Sequence, residues 1–188
     1  MAEPSLQLTG LRRVTPSDTE LLLALFGALP ERDLSFLEHP LDREAISRWG
    51  SAGDPASRWL VAPGTEAIAY VAVVPAQGWS SHVGDLRLVV ADGHRRAGLG
   101  RALARLGLLE GVALKLRKIS VAVAADKEGD IEMFTSIGFR AEALLEDHIR
   151  DRDGMLHDLV LLSHDVEQVQ EDMSTIGIDM AVGLGGSE

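Results

Sequence analysis

Apolar residues recur along this chain with two different spacings, and the switches between them lay out its elements. Residues 6–14 (LQLTGLRRV) read as a first strand. Thr15-Pro16 follows as N-cap and first helical position, with Asp18 three residues on, where a capping box places a carboxylate. Leu21, Leu22, Leu25 and Leu29 then mark a helix that ends before Pro30. A second short helix fits Asp42 to Trp49 and stops at Gly50; the intervening segment, 30–41, has a proline at each end and reads as a loop. Residues 57–62 and 66–74 predict an antiparallel pair joined through Pro63-Gly64, and VGDLRLVV at 83–90 predicts the next strand. Leu99, Leu103, Leu106 and Ala113 return to helical spacing up to about residue 114.

KISVAVA at 118–124 has little polarity, the pattern of a strand buried on both faces. A short helix over 128–137 carries Ile131, Phe134 and Ile137 on one face. Strands at 138–149 and 156–164 flank a hairpin turn at 150–154. The order is β-α-α-β-β-β-α-β-α-β-β. Strand, helix and strand through 83–124 make a parallel crossover between antiparallel hairpins, which is the signature of a mixed-sheet α/β (α+β) domain. That domain spans 1–164. Residues 165–188 form an acidic extension with a partial helix around 165–176 and a frayed, partly disordered end.

Composition narrows the chemistry. The chain has 188 residues, of which 46% are apolar and 25% charged, so it can build a core without a disulfide or metal staple. It contains no Cys, which removes disulfides, a cysteine nucleophile and thiolate metal ligation; it also contains no Asn, and its one Tyr is Tyr70. The formal net charge of −11 argues against a nucleic-acid partner. No apolar run approaches the roughly 18 residues that span a bilayer. The start, Met-Ala-Glu-Pro, lacks the basic and apolar regions of a signal peptide, so a cytoplasmic protein without a membrane partner is expected.

The charge is unevenly spread. Residues 165–188 hold six acidic residues and no Lys or Arg, whereas Arg95, Arg96, Arg101, Arg105, Lys115, Arg117 and Lys118 face only Asp92 and Glu110 between positions 92 and 118. This basic island is either an anion site or a solvated helix face. It contains the string Arg95-x-x-Gly98-x-Gly100, set between a strand and an amphipathic helix. Glycines there let a backbone approach a ligand closely, and the first N–H groups of a helix have no internal acceptor and can cradle an anion. A glycine pair before a helix is equally a tight turn. The spacing matches neither the dinucleotide fingerprint nor the Walker A loop.

This hexad, with the strand before it, the helix and buried strand after it, and a short helix leading into Gly138-Phe139 (MFTSIGF at 133–139), resembles the GNAT N-acetyltransferase superfamily over about residues 5–164. The ending GMLHDLVLLS at 154–163 is similar to the family's last hairpin strand. The resemblance implies acetyl-CoA as co-substrate. Amides of about Arg96 to Arg101 (Arg96, Ala97, Gly98, Leu99, Gly100 and Arg101) would hold its pyrophosphate beside Arg95. The backbone at Leu88, Val89 and Val90 would hold the pantetheine and the acetyl carbonyl, on a strand that splays from its neighbour. It implies a small-molecule or peptide amine acceptor, no metal, and a possible homodimer through the last strands.

The chain also departs from the family pattern. Aligned on Gly138-Phe139, Phe134 stands where many members have the Tyr that protonates the leaving thiolate, and Lys127 stands where they have a cofactor-contacting Asn. Phe134 has no hydroxyl and cannot act as an acid. Lys127 either pairs with a coenzyme phosphate or is solvated. Asp85, where several members carry a carboxylate, is the candidate base for an ammonium nucleophile, or else it pairs with Arg87 or a neighbouring strand. His148, His157 and Asp158 fall on the final hairpin, where ordinary hydrogen bonds compete with a metal reading, since adjacent residues such as 157 and 158 point to opposite faces. Glu38 and His39 lie in the loop that usually lines the acceptor cleft. No G-x-S-x-G nucleophile elbow is present. Three functions follow: an N-acyltransferase acting on a primary amine, an acyl-CoA-binding module without catalysis, and a structural dimer subunit with a vestigial cofactor site.

Overall fold

The computed structural model describes residues 8–30, 33, 41–151 and 153–166. The strands are β1 (Leu11–Arg13), β2 (Ser57–Val61), β3 (Ala69–Pro75), β4 (Val83–Val90), β5 (Lys118–Ala124), β6 (Arg140–Arg150) and β7 (Leu156–Asp165); the helices are α1 (Thr19–Gly27), α2 (Arg43–Ile46), α3 (Leu99–Ala113) and α4 (Glu128–Thr135). They form one seven-stranded sheet in the order β1-β2-β3-β4-β5-β7-β6. Every pairing is antiparallel except β4 with β5. The mixed α/β sheet and its element order are those read from the sequence. No helix among the described residues is long and apolar enough to cross a membrane.

Alternation along β3 divides the interior in two. Ala69, Val71 and Val73 point to the face covered by α3 and α4, where they meet Leu86, Leu99, Leu103, Ile119, Phe134 and Phe139. Tyr70 and Ala72 point to the other face and meet Leu22, Leu25 and Phe26 of α1 with Ile46 and Trp49 at α2. α3 lies close on the sheet because Gly107 and Gly111 present no side chain: a Cβ at Gly107 would sit 2.4 Å from Leu86 Cδ1, and one at Gly111 2.8 Å from Ile119 Cδ1.

Three local expectations change. The first strand is only Leu11–Arg13, because Thr9-Gly10 turns at a Gly10 φ of +80° against the backbone of Ala62; Leu6 and Gln7 lie outside the described residues. The second helix closes only Arg43–Ile46 as α-helix, with the Asp42 carboxylate accepting from Ala45 N–H at 2.8 Å and turns carrying the chain to Gly50. β5 is not buried on both faces. Ile119, Val121 and Val123 are buried, but Lys118, Ser120 and Ala122 are half-exposed, and Ser120 bonds Asp85 while Lys118 pairs with Glu142. The helix placed around 165–176 lies, from residue 167 on, outside the described residues, as do Glu38 and His39.

The second core contains a buried ion pair. Arg58 Nε donates to Asp54 at 2.7 Å, Arg58 Nη1 donates to the Tyr70 hydroxyl at 2.7 Å, and the guanidinium lies 4.3 Å over the Trp49 ring. Both charged side chains are about 5% exposed (Arg58 5%, Asp54 6%). Burial pushes the Asp54 pKa up, but Arg58 and the N–H groups of Gly50 and Ala56 outweigh it and hold the carboxyl below its ordinary value. A carboxyl with a depressed folded pKa stabilises the fold above the unfolded value of about 3.9, and that stabilisation is lost as pH falls through the folded pKa. Asp54→Asn is therefore expected to cost about 3 kcal/mol in urea unfolding at pH 7, because it removes the carboxylate that pairs with a buried guanidinium. The gap to wild type is expected to narrow as the pH is taken below about 4. A cost of no more than about 0.5 kcal/mol at pH 7, the size of an ordinary surface substitution, would show that the pair does not hold this layer.

Candidate active site

The site begins where the sheet opens. β4 and β5 pair only through Val83↔Lys118, Gly84↔Ile119 and Asp85↔Ser120. Beyond Asp85 the two strands diverge, and a cavity of about 760 Å³ fills the gap, bounded by Leu86–Val90 on one side and Val121–Val123 on the other.

Register decides which backbone groups face that gap. Ala91 N–H donates to Ile68 and Ala76 N–H to the Val83 carbonyl, so along β4 the odd-numbered residues are bonded to β3. The N–H groups of Leu88 and Val90 therefore point into the opening, whereas that of Val89 is turned to β3. The backbone expected to hold a carbonyl at Leu88–Val90 is thus split, with Leu88 and Val90 as its donors.

At the wide end, β4 passes through a turn at Asp92–His94 into Arg95 and then two residues with positive φ, Arg96 at +60° and Gly98 at +80°. α3 starts at Leu99, and its first internal bond runs from Ala102 N–H to the Gly98 carbonyl. The preceding N–H groups have no acceptor in the helix, and such a run of amides around left-handed residues forms an anion-binding concavity. At Gly100 a Cβ would meet nothing nearer than Leu88 Cδ2 at 3.8 Å, so the missing side chain enlarges the cavity without being demanded by the core. Arg96 and Arg101 line the cavity beside these amides. Left-handed backbone, open amides and two cations at one mouth fit a pyrophosphate-bearing ligand.

Of the residues read from the sequence, Leu88, Val89, Val90, Arg95, Arg96, Gly98, Gly100, Arg101, Lys127 and Phe134 share this cavity. Ala97 is exposed outside its lining, and Leu99 is buried in the core below α3. Asp85 stands at the closed end of the splay, outside the lining: it accepts from Ser120 Oγ at 2.6 Å and from Arg87 Nη2 at 3.1 Å. Phe134 is buried edge-on against Phe139, with ring centroids 5.2 Å apart. Tyr70 is buried on another strand with its hydroxyl engaged by Arg58, so it supplies no acid to the cavity.

Lys127 is not solvated. Its side chain is 15% exposed, and its ammonium pairs with Asp33, a residue 94 positions away that the sequence left inside a loop. Asp33 also accepts from Arg95 Nη2 at 2.5 Å. Arg95 in turn donates through Nε to the Val90 carbonyl at 2.9 Å and pairs with Asp92 at 3.0 Å. Burial acts to raise the Asp33 pKa, but the two cations prevail and keep it low. No short-range signal marks Asp33, because its partners come from the loop after β4 and the turn before α4. In the final hairpin His157 bonds Asp151 at 2.9 Å and Asp158 accepts from Asp147 N–H at 2.9 Å, the hydrogen-bonding reading of these residues. Among the described residues no group of His, Asp and Glu is placed to hold a metal.

Residues 23–139 match the family described as Acetyltransferase (GNAT) family. No curated protein matches the chain. Among solved structures it is similar to an acetyltransferase of the GNAT family from Streptococcus pneumoniae (20% identity, TM-score 0.70, 82% of this chain and 98% of that one). A ribosomal-protein-alanine N-acetyltransferase from Brucella melitensis gives the same four values. Mutant forms of a spermidine/spermine N-acetyltransferase from Vibrio cholerae share 17% identity at TM-score 0.69, over 86% and 97% of the two chains.

Proposed function

This chain belongs to the GNAT acetyltransferase family, and we propose that it transfers an acetyl group from acetyl-CoA to a primary amine by direct attack within a ternary complex. The observation that carries this reading is the continuity of one cavity from the amide concavity at Arg96–Arg101 into the β4–β5 splay. One end offers charge and N–H groups for phosphates, and the other offers two strand amides in an otherwise apolar slot.

When bound, acetyl-CoA supplies the thioester that the amine attacks. The N–H groups of Leu88 and Val90 stand about 6.7 Å apart along the strand, too far to share one oxygen, so one holds the thioester carbonyl, already oriented as negative charge develops, and the other an amide carbonyl of the pantetheine arm. The splay fixes the approach of the two reactants, and such positioning supplies much of the rate. The attacking ammonium sheds its proton to solvent, since Asp85, the expected base, stands outside the cavity lining with its carboxylate engaged by Ser120 and Arg87. Phe134 returns none, so the sulfur leaves as thiolate, which a thiol pKa near 8.5 permits at neutral pH without full protonation.

An amine acceptor is also in keeping with the names of the similar structures, one for the alanine of a ribosomal protein and one for spermidine and spermine. Phe134 favours a second reading, an acyl-CoA-binding module that does not turn over. The test is release of free thiol from acetyl-CoA across a panel of polyamines, amino acids and peptides, beside a titration of CoA. Amine-dependent thiol release is the expected result. Binding without turnover would replace it with the second reading, and no binding by folded protein would overturn both.

A further inference from the structure

We propose that Asp33 is an internal counter-anion of the cavity, which occupies Arg95 and Lys127 and so weakens the cavity's hold on phosphorylated ligands. The proposal rests on the reading of this cavity as the coenzyme site and goes on to what sets its affinity. Asp33 is a lining residue, its carboxylate is 7% exposed, and it touches a cation on each side of the opening: Arg95 from the loop that precedes α3 and Lys127 at the start of α4.

Two roles are open to such a carboxylate. It can position the cations for a ligand, or it can compete with the ligand for them. The other anchors of the two cations favour competition. Arg95 is already fixed by the Val90 carbonyl and by Asp92. The backbone of Lys127 is fixed at the first turn of α4, where its N–H donates to Ala124 and its carbonyl accepts from Asp130 and Ile131, while its ammonium is held by Asp33. Arg95 therefore keeps its place without Asp33, and the ammonium of Lys127 is the charge that Asp33 takes up.

An incoming phosphate therefore meets two cations whose charge is partly spent and a carboxylate of its own sign. The low Asp33 pKa keeps that carboxylate ionised throughout the neutral range. Arg96 and Arg101, by contrast, are exposed at the mouth, carry no ion pair among the described residues and remain for the ligand. A donor site weakened in this way exchanges its occupant faster, which serves a catalyst that must release CoA after each turnover.

The test is isothermal titration of CoA, and separately of inorganic pyrophosphate, into wild type, Asp33→Asn, Asp33→Ser and Asp130→Asn at low salt. Asp130 lines the same cavity, so its neutralisation reports the general field without vacating Arg95 and Lys127. Asp33→Asn is expected to tighten CoA about tenfold, the effect of one nearby charge, and to steepen the salt dependence; Asp130→Asn is expected to give less than about a third of that gain. Asp33→Ser repeats the measurement without an amide that could bond the same cations, and circular dichroism establishes that each variant is folded. Unchanged or weaker binding in folded Asp33 variants, or an equal gain from Asp130→Asn, would overturn the proposal. If no variant binds CoA while Asp33→Asn still tightens pyrophosphate, the coenzyme reading fails and the role of Asp33 stands.

Discussion

Replacing Gly98 with Trp is expected to raise the Kd for CoA by at least about 100-fold while the protein stays folded, the loss of roughly 3 kcal/mol that removes a set of ligand hydrogen bonds. Gly98 has a φ of +80° and is the N-cap of α3. A bulky L-residue is disfavoured in that conformation, so the backbone either bears the strain or rotates, and rotation turns the amides of the concavity away from one another. The indole also takes up space in the cavity that Gly98 lines. The core below is spared, because α3 is held by Leu99, Leu103, Ala104 and Leu108, all on the sheet-facing side. Isothermal titration with a parallel thermal melt separates the two effects. An unchanged Kd in a folded variant would place the anion elsewhere in the cavity and reject the loop as its cradle.

Phe134→Tyr is expected to raise kcat by about 10², the middle of the range that a positioned general acid contributes. Phe134 lines the cavity from α4 and keeps its ring orientation through edge-to-face contact with Phe139. The substitution therefore adds a hydroxyl to a ring that is already placed, and its effect falls on departure of the thiolate, a step of chemistry and not of binding. The matching observation is a rise in kcat with KM for the amine unchanged. A change of less than about twofold in an active enzyme would mean that the proton comes from water, and that the missing hydroxyl is not what limits this protein.

Much of this geometry was legible in the chain itself, and the rest was hidden for identifiable reasons. β4, α3 and β5 stand out because the apolar period changes from two to nearly four and back within forty residues, with a glycine-bearing loop at the first change. The short β1 was not legible. The turn at Gly10 packs against the Ala62 backbone, about a third of the domain away in sequence. β5 was misread as buried on both faces because Ala122 looks apolar wherever it points, and only Ala124, at the strand's end, is buried on that face. The capping arrangement at Thr15 and Asp18 is local and is present, with Asp18 accepting from Thr15 N–H at 2.9 Å. The partners of Lys127 and Asp85 are long-range, and no pattern within one element reports an ion pair between residues 94 apart or a hydrogen bond between residues 35 apart.

The register of β4 also has a consequence for the movement of protons between backbone and solvent. The N–H groups of Arg87 and Val89 are bonded to β3, in the middle of the sheet, and exchange only when those strands separate. Those of Leu88 and Val90 face the splay and need no such opening. Neighbouring amides on one strand thus belong to two kinetic classes, one governed by the stability of the sheet and the other by whatever occupies the gap. Any molecule that settles between β4 and β5 covers the second class directly, and slows the first only as far as its binding stabilises the sheet, so occupancy of the cavity is written along a single strand as a two-residue alternation.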